Sequence, residues 1–386
     1  MGSTRWITKN LIYGFRVLSV PLLMFVGVGF LHAEGSDRTI GQFVHTAWSA
    51  KDGAPGNVWA LAQTADGFLW LGTTQGLYRF DGVSFERYEP QSGPAFPSSN
   101  ITSLLALPNG DLWIGFREKG VSRLRGGHNT NYGNSDGLPS GKVARLVQDG
   151  DGAIWAGTYG GLARFEHERW QRVGDDWGYP GQRAVAVYVD RHGTLWVASE
   201  NTVVFLPQAS RKFHTTGIEI GQTYQMVESL GGTLWLAETG RSVHPIRLPA
   251  TQHSFEPEIR HGSVGVLFDD DGSLWITSIG DGMRRIPFPD RLNDQKIGEL
   301  SDAIESFTSK DGLSSDYETC ILKDREGSIW VGTWPVLTGS ARALWFRFCC
   351  RRNLPSRLWS RETTATSGWA AGATYSRGLR EIRGRT

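Results

Sequence analysis

Seven recurrences of Gly-x-aliphatic-Trp, spaced near forty residues and each preceded by a turn-forming pair and an apolar run, predict an all-β protein. A period of that length made of short strands is the signature of a seven-bladed β-propeller of four-stranded antiparallel blades. The tryptophans are Trp70, Trp113, Trp155, Trp196, Trp235, Trp275 and Trp330, spaced by 43, 42, 41, 39, 40 and 55 residues. The 49 glycines and 16 tryptophans among 386 residues suit many short strands joined by tight turns.

The chain opens with the pattern of an export signal. Arg5, Lys9 and Arg16 form a positive region, residues 17–31 an apolar core, and Leu31-His32-Ala33 a cleavage tripeptide. Residues 1–33 are therefore read as a signal peptide. Fifteen apolar residues with an internal Pro21 are short for a membrane span, which needs about twenty. Membrane attachment through an uncleaved signal is the other reading, and the expected location is periplasmic or secreted.

The propeller is expected over residues 40–334. Residues 43–58 resemble 304–318, the outer strand ahead of the last repeat, so residues 43–49 are read as a strand completing the last blade. Such sharing of one blade between the two ends removes a free sheet edge. Inside each repeat the grammar is constant. In the third, "KVARLVQ" is a strand, "DGDG" a turn, "AIWAGTY" a second strand, "GG" the next turn and "LARFEHERW" a third strand with edge residues. The run "DDDGSLWITS" at 269–278 raises the question of a calcium loop. Gly231-Gly232 at the same place in another repeat supplies no side-chain oxygen, whereas a hairpin needs only residues that tolerate positive φ. The aspartates are read as turn formers, and no metal or cofactor is expected.

The stretch "GLPSGKVARLVQDGDGAIWAGTYGGLARF" (137–165) resembles the repeat of the two-component regulator propellers, which form periplasmic sensor regions of hybrid histidine kinases. The units around Trp70, Trp113, Trp155 and Trp330 carry the resemblance; those around Trp196 and Trp235 follow it more loosely. It implies ligand sensing outside the cytoplasm, a small-molecule or oligosaccharide ligand, and a homodimer as in that family. Full-length members continue into a second propeller, a β-sandwich, a membrane helix and a kinase. None of these is readable here, so the chain is expected to be a non-signalling fragment.

After Thr333 the pattern stops. Residues 335–386 hold ten arginines, no lysine and two glutamates, about +8 against a total of +1, which leaves the rest mildly acidic, near −7. That balance excludes a general nucleic-acid binder. With suitable codons, residues 362–369 read two bases later give Asp-Asp-Gly-Asp-Leu-Trp-Val, so the tail is expected to be irregular and the product of paired frameshifts or of a degraded gene. Within it, "ALWFRF" (343–348) alternates as a surrogate strand would.

The chemistry of enzymes is thin: there is no nucleophile elbow, phosphate loop, zinc helix or paired-cysteine site. The protein is expected not to be an enzyme, with a propeller-fold carbohydrate hydrolase or lyase as the alternative. Binding candidates come from register. Thirteen residues before each tryptophan stand Asn57, Asn100, Lys142, Arg183, Gln222, Gly262 and Tyr317, which open the innermost strands and should surround one mouth of the central channel. All but Gly262 are polar or aromatic and suit a hydroxyl-rich or anionic sugar.

Overall fold

The computed structural model describes residues 40–181, 183–239, 243–246, 263–291, 304–334 and 345–349. The signal-peptide reading, Gly262 and most of the tail lie outside the described residues. The first strand is β1 (Val44–Trp48). One blade follows as β2 (Val58–Gln63), β3 (Leu69–Thr73), β4 (Gly76–Phe80) and β5 (Phe85–Tyr88). The next is β6 (Ile101–Ala106), β7 (Leu112–Phe116), β8 (Val121–Arg125) and β9 (His128–Tyr132). Then come β10 (Val143–Gln148), β11 (Ile154–Thr158), β12 (Gly161–Glu166) and β13 (Arg169–Val173). They are followed by β14 (Ala186–Val189), β15 (Leu195–Ser199), β16 (Thr202–Leu206) and β17 (His214–Glu219). A sheet of β18 (Thr223–Glu228), β19 (Leu234–Glu238) and β20 (Val243–Ile246) is next. Last come β21 (Ser263–Phe268), β22 (Leu274–Ser278), β23 (Met283–Ile286) and β24 (Glu305–Phe307), then β25 (Glu318–Lys323), β26 (Ile329–Thr333) and β27 (Trp345–Cys349).

All pairings are antiparallel, and the architecture is an all-β propeller. The expectation of seven four-stranded blades is corrected. Six sheets are complete four-stranded blades, and the sheet β18-β19-β20 has three strands among the described residues. Pro245, placed opposite Trp235 in the middle of β20, limits what that strand can pair with. Without an N–H it cannot donate to a ladder, and a strand that contains proline serves as an edge.

The innermost strands β2, β6, β10, β14, β18, β21 and β25 lie side by side in that order, and β25 returns to β2. Apolar clusters fill the seams. Trp113 packs with Val143, Leu146 and Ile154 of the next blade, and Trp155 with Val187, Leu195 and Val197 of the one after. Blades approach so closely that a Cβ on Gly157 would lie 2.5 Å from Val187 Cγ2. The closing blade has the order β1-β27-β26-β25, with β27 paired to β1 on one side and β26 on the other. Its Trp48 stacks on Trp330 at 5.6 Å and meets Phe80 of the first blade edge-on at 5.2 Å.

The turn aspartates have a specific task. Asp149, Asp190, Asp269 and Asp324, each six residues before the tryptophan, accept a hydrogen bond from its indole Nε1 at 2.7–2.8 Å. Their other oxygen accepts backbone N–H groups of the turn, as when Asp149 Oδ1 takes those of Asp151 and Ala153. Thr64 substitutes in the first blade, its hydroxyl accepting from Trp70 at 2.9 Å. Leu107 and Ser229 hold the same place before Trp113 and Trp235, whose Nε1 atoms have no hydrogen-bond partner among the described residues. In the triple-aspartate run, burial and the adjacent Asp271 carboxylate hold Asp269 above the usual carboxylate range. Asp271, although partly buried, is held below it by hydrogen bonds from Asp269 and Ser273 and by the Arg285 charge. Among the described residues no cluster of His, Cys, Asp and Glu could hold a metal ion.

Candidate binding site at the channel mouth

Six of the innermost strands carry a β-bulge one residue in from their start, as between Val143 and Arg145. A bulge places two residues opposite one and re-aims the side chain between them. The bulged residues include Trp59 and Tyr224, and both take part in the mouth.

The strand-entry residues are joined to a second register. In four blades the residue four after the tryptophan returns beside the entry residue of the same blade. Arg117 N donates to the Asn100 carbonyl (2.9 Å), Tyr159 N to Lys142 (3.0 Å), Thr239 N to Gln222 (2.9 Å) and Trp334 N to Tyr317 (2.8 Å). In the first blade Asn57, at φ 55°, donates through Nδ2 to Thr74 Oγ1 at 3.3 Å. In the fourth, the Tyr179 hydroxyl donates to the Arg183 carbonyl at 2.7 Å and pins the entry segment.

The side chains converge unevenly. Lys142 Nζ lies 5.9 Å from the ring centre of Trp59 and 5.7 Å from that of Tyr159, so the ammonium sits between two aromatic faces. The Arg183 guanidinium stacks on Tyr159 at 4.6 Å. Gln222 Nε2 donates to the Tyr224 hydroxyl at 3.0 Å, and Trp59 meets Trp334 at 5.7 Å. Burial, then the nearby Arg117 charge, push the Lys142 ammonium below its usual range. Burial, then proximity to Tyr159, raise the Tyr224 phenol. Lys142, Arg183 and Gln222 are thus gathered around Tyr159 and Tyr224. Asn57 is held by its own blade, the Asn100 carbonyl receives Arg117, and Tyr317 is exposed and bridges to Ile279.

Four aromatic groups of the mouth, Trp59, Tyr159, Tyr224 and Trp334, fall outside the thirteen-before register. Reading four residues after each tryptophan gives Thr74, Arg117, Tyr159, Glu200, Thr239, Ile279 and Trp334, a register that finds two of them and Arg117. Away from the mouth, a cleft of about 510 Å³ runs between turns of the third and fourth blades, lined by Asp149, Asp190, Arg191 and Gln208 among others. Asp149 and Asp190 there are committed to Trp155 and Trp196, so the cleft is a gap between structural turns.

The circular order of sheets defines the class: this is a β-propeller. Its repeats define the kind. The model of the two component regulator propeller matches residues 52–75, 137–160 and 312–334, and the chain carries repeats of that type. No curated protein matches the sequence. Among solved structures, the chain is similar to the extracellular domain assigned to a hybrid two component system of B. thetaiotaomicron (TM-score 0.64, 16% identity, 80% of this chain and 42% of that one). It therefore spans under half the length of that domain. It is also similar to virginiamycin B lyase from Staphylococcus aureus (TM-score 0.58, 13% identity, 79% of this chain and 98% of that one). The WD40 propeller domain of Doa1 gives a TM-score of 0.57 at 13% identity over 82% of this chain and 99% of that one. At these identities the likeness is one of fold, and it spans sensor, enzyme and interaction domains alike.

Proposed function

We propose that this chain is an extracytoplasmic ligand-binding sensor propeller of a two-component system, which does not signal without a kinase. The observation that carries the reading is the mouth itself, in a chain built of two-component regulator repeats. Lys142 is held between Trp59 and Tyr159 with Arg183 stacked behind it. Aromatic faces flanked by amide and cationic donors grip the ring and the polar groups of a small molecule or oligosaccharide. Among the described residues nothing at the mouth pairs a nucleophile with a base, which favours binding over turnover.

The test is a panel of neutral and acidic oligosaccharides added to the full chain, followed by thermal shift, calorimetry and chromatography of the sugars. Saturable binding without new sugar products, weakened about tenfold or more by Lys142→Met or Arg183→Met, supports the reading; loss of a charge-assisted hydrogen bond is of that size. Released fragments would replace it by the hydrolase or lyase reading. Binding that both substitutions leave unchanged would move the site away from the mouth.

A further inference from the structure

One strand step inside the mouth, the inner strands present Ala60, Ser103, Arg145, Ala186, Gln225, Gly265 and Cys320 at a common register, ten residues before each tryptophan. Arg145 is the single ionised side chain of that layer. It is partly buried by surface area and lies near the groups of Cys320, across the ring on β25, and of Tyr188 on β14. Neither is a counter-ion: burial raises the Cys320 thiol to about 12 and also raises the Tyr188 phenol. Arg145 makes no ion pair or hydrogen bond among the described residues, and burial pushes its guanidinium below its ordinary range. The carboxyl next to Cys320, that of Glu318, is buried beside its ladder partner Thr333.

Holding a partly buried charge without a counter-ion is costly, and guanidinium groups drawn out of water are ordinarily paired. Arg145 is also not alone. Lys142 stands three residues earlier on the same strand, with Arg117 near it and Arg183 on the next blade. Among the described residues no carboxylate bridges any of these four cations. Elsewhere in the ring, buried or partly buried arginines have partners, as Arg123 has Asp111 and Glu168, and Arg285 has Asp271 and Glu305.

We propose that the channel just inside the mouth seats an oxyanion, the carboxylate, sulfate or phosphate group of a bound ligand, on Arg145 with Lys142, Arg117 and Arg183 forming a positive collar. The planar fork of Arg145 accepts two oxygens side by side, and the collar draws the anion inward past the aromatic faces. This rests on the ligand-binding reading above and adds the charge of the ligand.

The experiment uses the full chain with sodium sulfate, sodium phosphate and sodium glucuronate, each against sodium chloride of equal ionic strength and, for glucuronate, against glucose. Thermal shift and calorimetry are the readouts. Wild type should gain ~1–3 °C from at least one oxyanion near a hundredfold excess over its Kd, beyond the chloride control. Arg145→Met should weaken that anion about ten- to a hundredfold, the loss typical of a charge-assisted hydrogen bond, and Arg145→Lys should restore part of it. Without added anion, Arg145→Met should melt at or above the wild-type temperature, since it removes a partly buried charge that has no partner among the described residues. The inference is overturned if no oxyanion exceeds chloride, if Arg145→Met binds as wild type does, or if Arg145→Met alone destabilises the fold and removes no anion response. Neutral oligosaccharides that bind wild type and Arg145→Met equally would keep the sensor reading and sink the anion seat. Oxyanion binding at Arg145 with no saccharide bound would do the reverse.

Discussion

The blade β10–β13 and the closing blade β1-β27-β26-β25 stand on opposite sides of the ring and share one tryptophan device, yet they are made differently. In the first, four consecutive strands come from one stretch, and Trp155 is held by Asp149 at 2.7 Å. In the second, the strands come from three separated stretches, and Trp330 is held by Asp324 at the same distance. At the mouth they diverge further. The first contributes the unpaired cations Lys142 and Arg145, whereas the second contributes Tyr317, Trp334 and the buried Glu318. The common device fixes each sheet to its neighbour; what a blade shows the channel is free to vary.

The largest expected effect tests the shared part. Trp155→Ala and Trp330→Ala should each destabilise the fold by about 3–5 kcal/mol, the cost of emptying a large aromatic site in a core. Denaturant titration measures both, and the comparison breaks if one of them costs less than about 1 kcal/mol. Trp330→Ala also removes the stacking partner of Trp48, so amide exchange should accelerate along Val44–Trp48 but not along Arg169–Val173.

Smaller effects follow at the turns. Asp149→Ala and Asp324→Ala each strip the acceptor from a buried indole and from turn N–H groups, and should cost about 1–3 kcal/mol. The three-stranded sheet offers the converse. Ser229→Asp would give Trp235 Nε1 an acceptor where it has none, and a gain of up to about 1 kcal/mol is expected by thermal or chemical unfolding. A loss there would mean that the carboxylate is a feature of the complete blades alone.

The finest test is of pH. Burial, with Asp316 and Asp281 nearby, holds the Glu318 carboxyl well above its ordinary range. The folded chain therefore keeps a proton that the unfolded chain releases near the usual glutamate value of about 4.3. Stability from this group is full below that value and falls as pH rises through the raised folded value. Glu318→Gln should flatten the decline that sets in above about pH 4.3 on a plot of unfolding free energy, whereas Lys142→Met should leave the slope due to Glu318 intact. An unchanged slope in Glu318→Gln would assign the pH dependence elsewhere, with the Asp269–Asp271 pair next in line.

The repeat was legible because tryptophan spacing and turn pairs are local, and they placed β10 and β11 within a residue, whereas the third-strand reading 162–170 ran past the end of β12 at Glu166 into β13. That β20 has no further partner among the described residues was not legible, since a repeat count is blind to a proline such as Pro245 within a strand. The sequence marks the residue before each turn glycine as a turn former, and that residue is not the one that binds the indole. The hydrogen bond to the indole is made two residues earlier, by Asp149 or Asp269, and only the folded hairpin brings the two together. At the mouth, counting back from tryptophan found Lys142, Arg183 and Gln222. It passed over Trp59 and Tyr224 because bulges shift those side chains out of simple alternation. Arg145 was hidden in an apolar run, where its lack of a partner is a fact of three dimensions.

The pairing of β27 with both β1 and β26 sets a timetable. Trp48 faces Trp345 in the ladder, so the two ends of one ring are brought together across almost the whole sequence. Contacts between such distant positions form late, because the entropy of closing a long loop precedes any reward. While the chain emerges, the early blades can stack on one another as they are made, but β1 must wait with an unmatched edge until residues 345–349 arrive. During that interval the molecule is an open arc whose first strand could pair with another copy, and its yield in a cell should depend on how fast the last fifty residues are delivered.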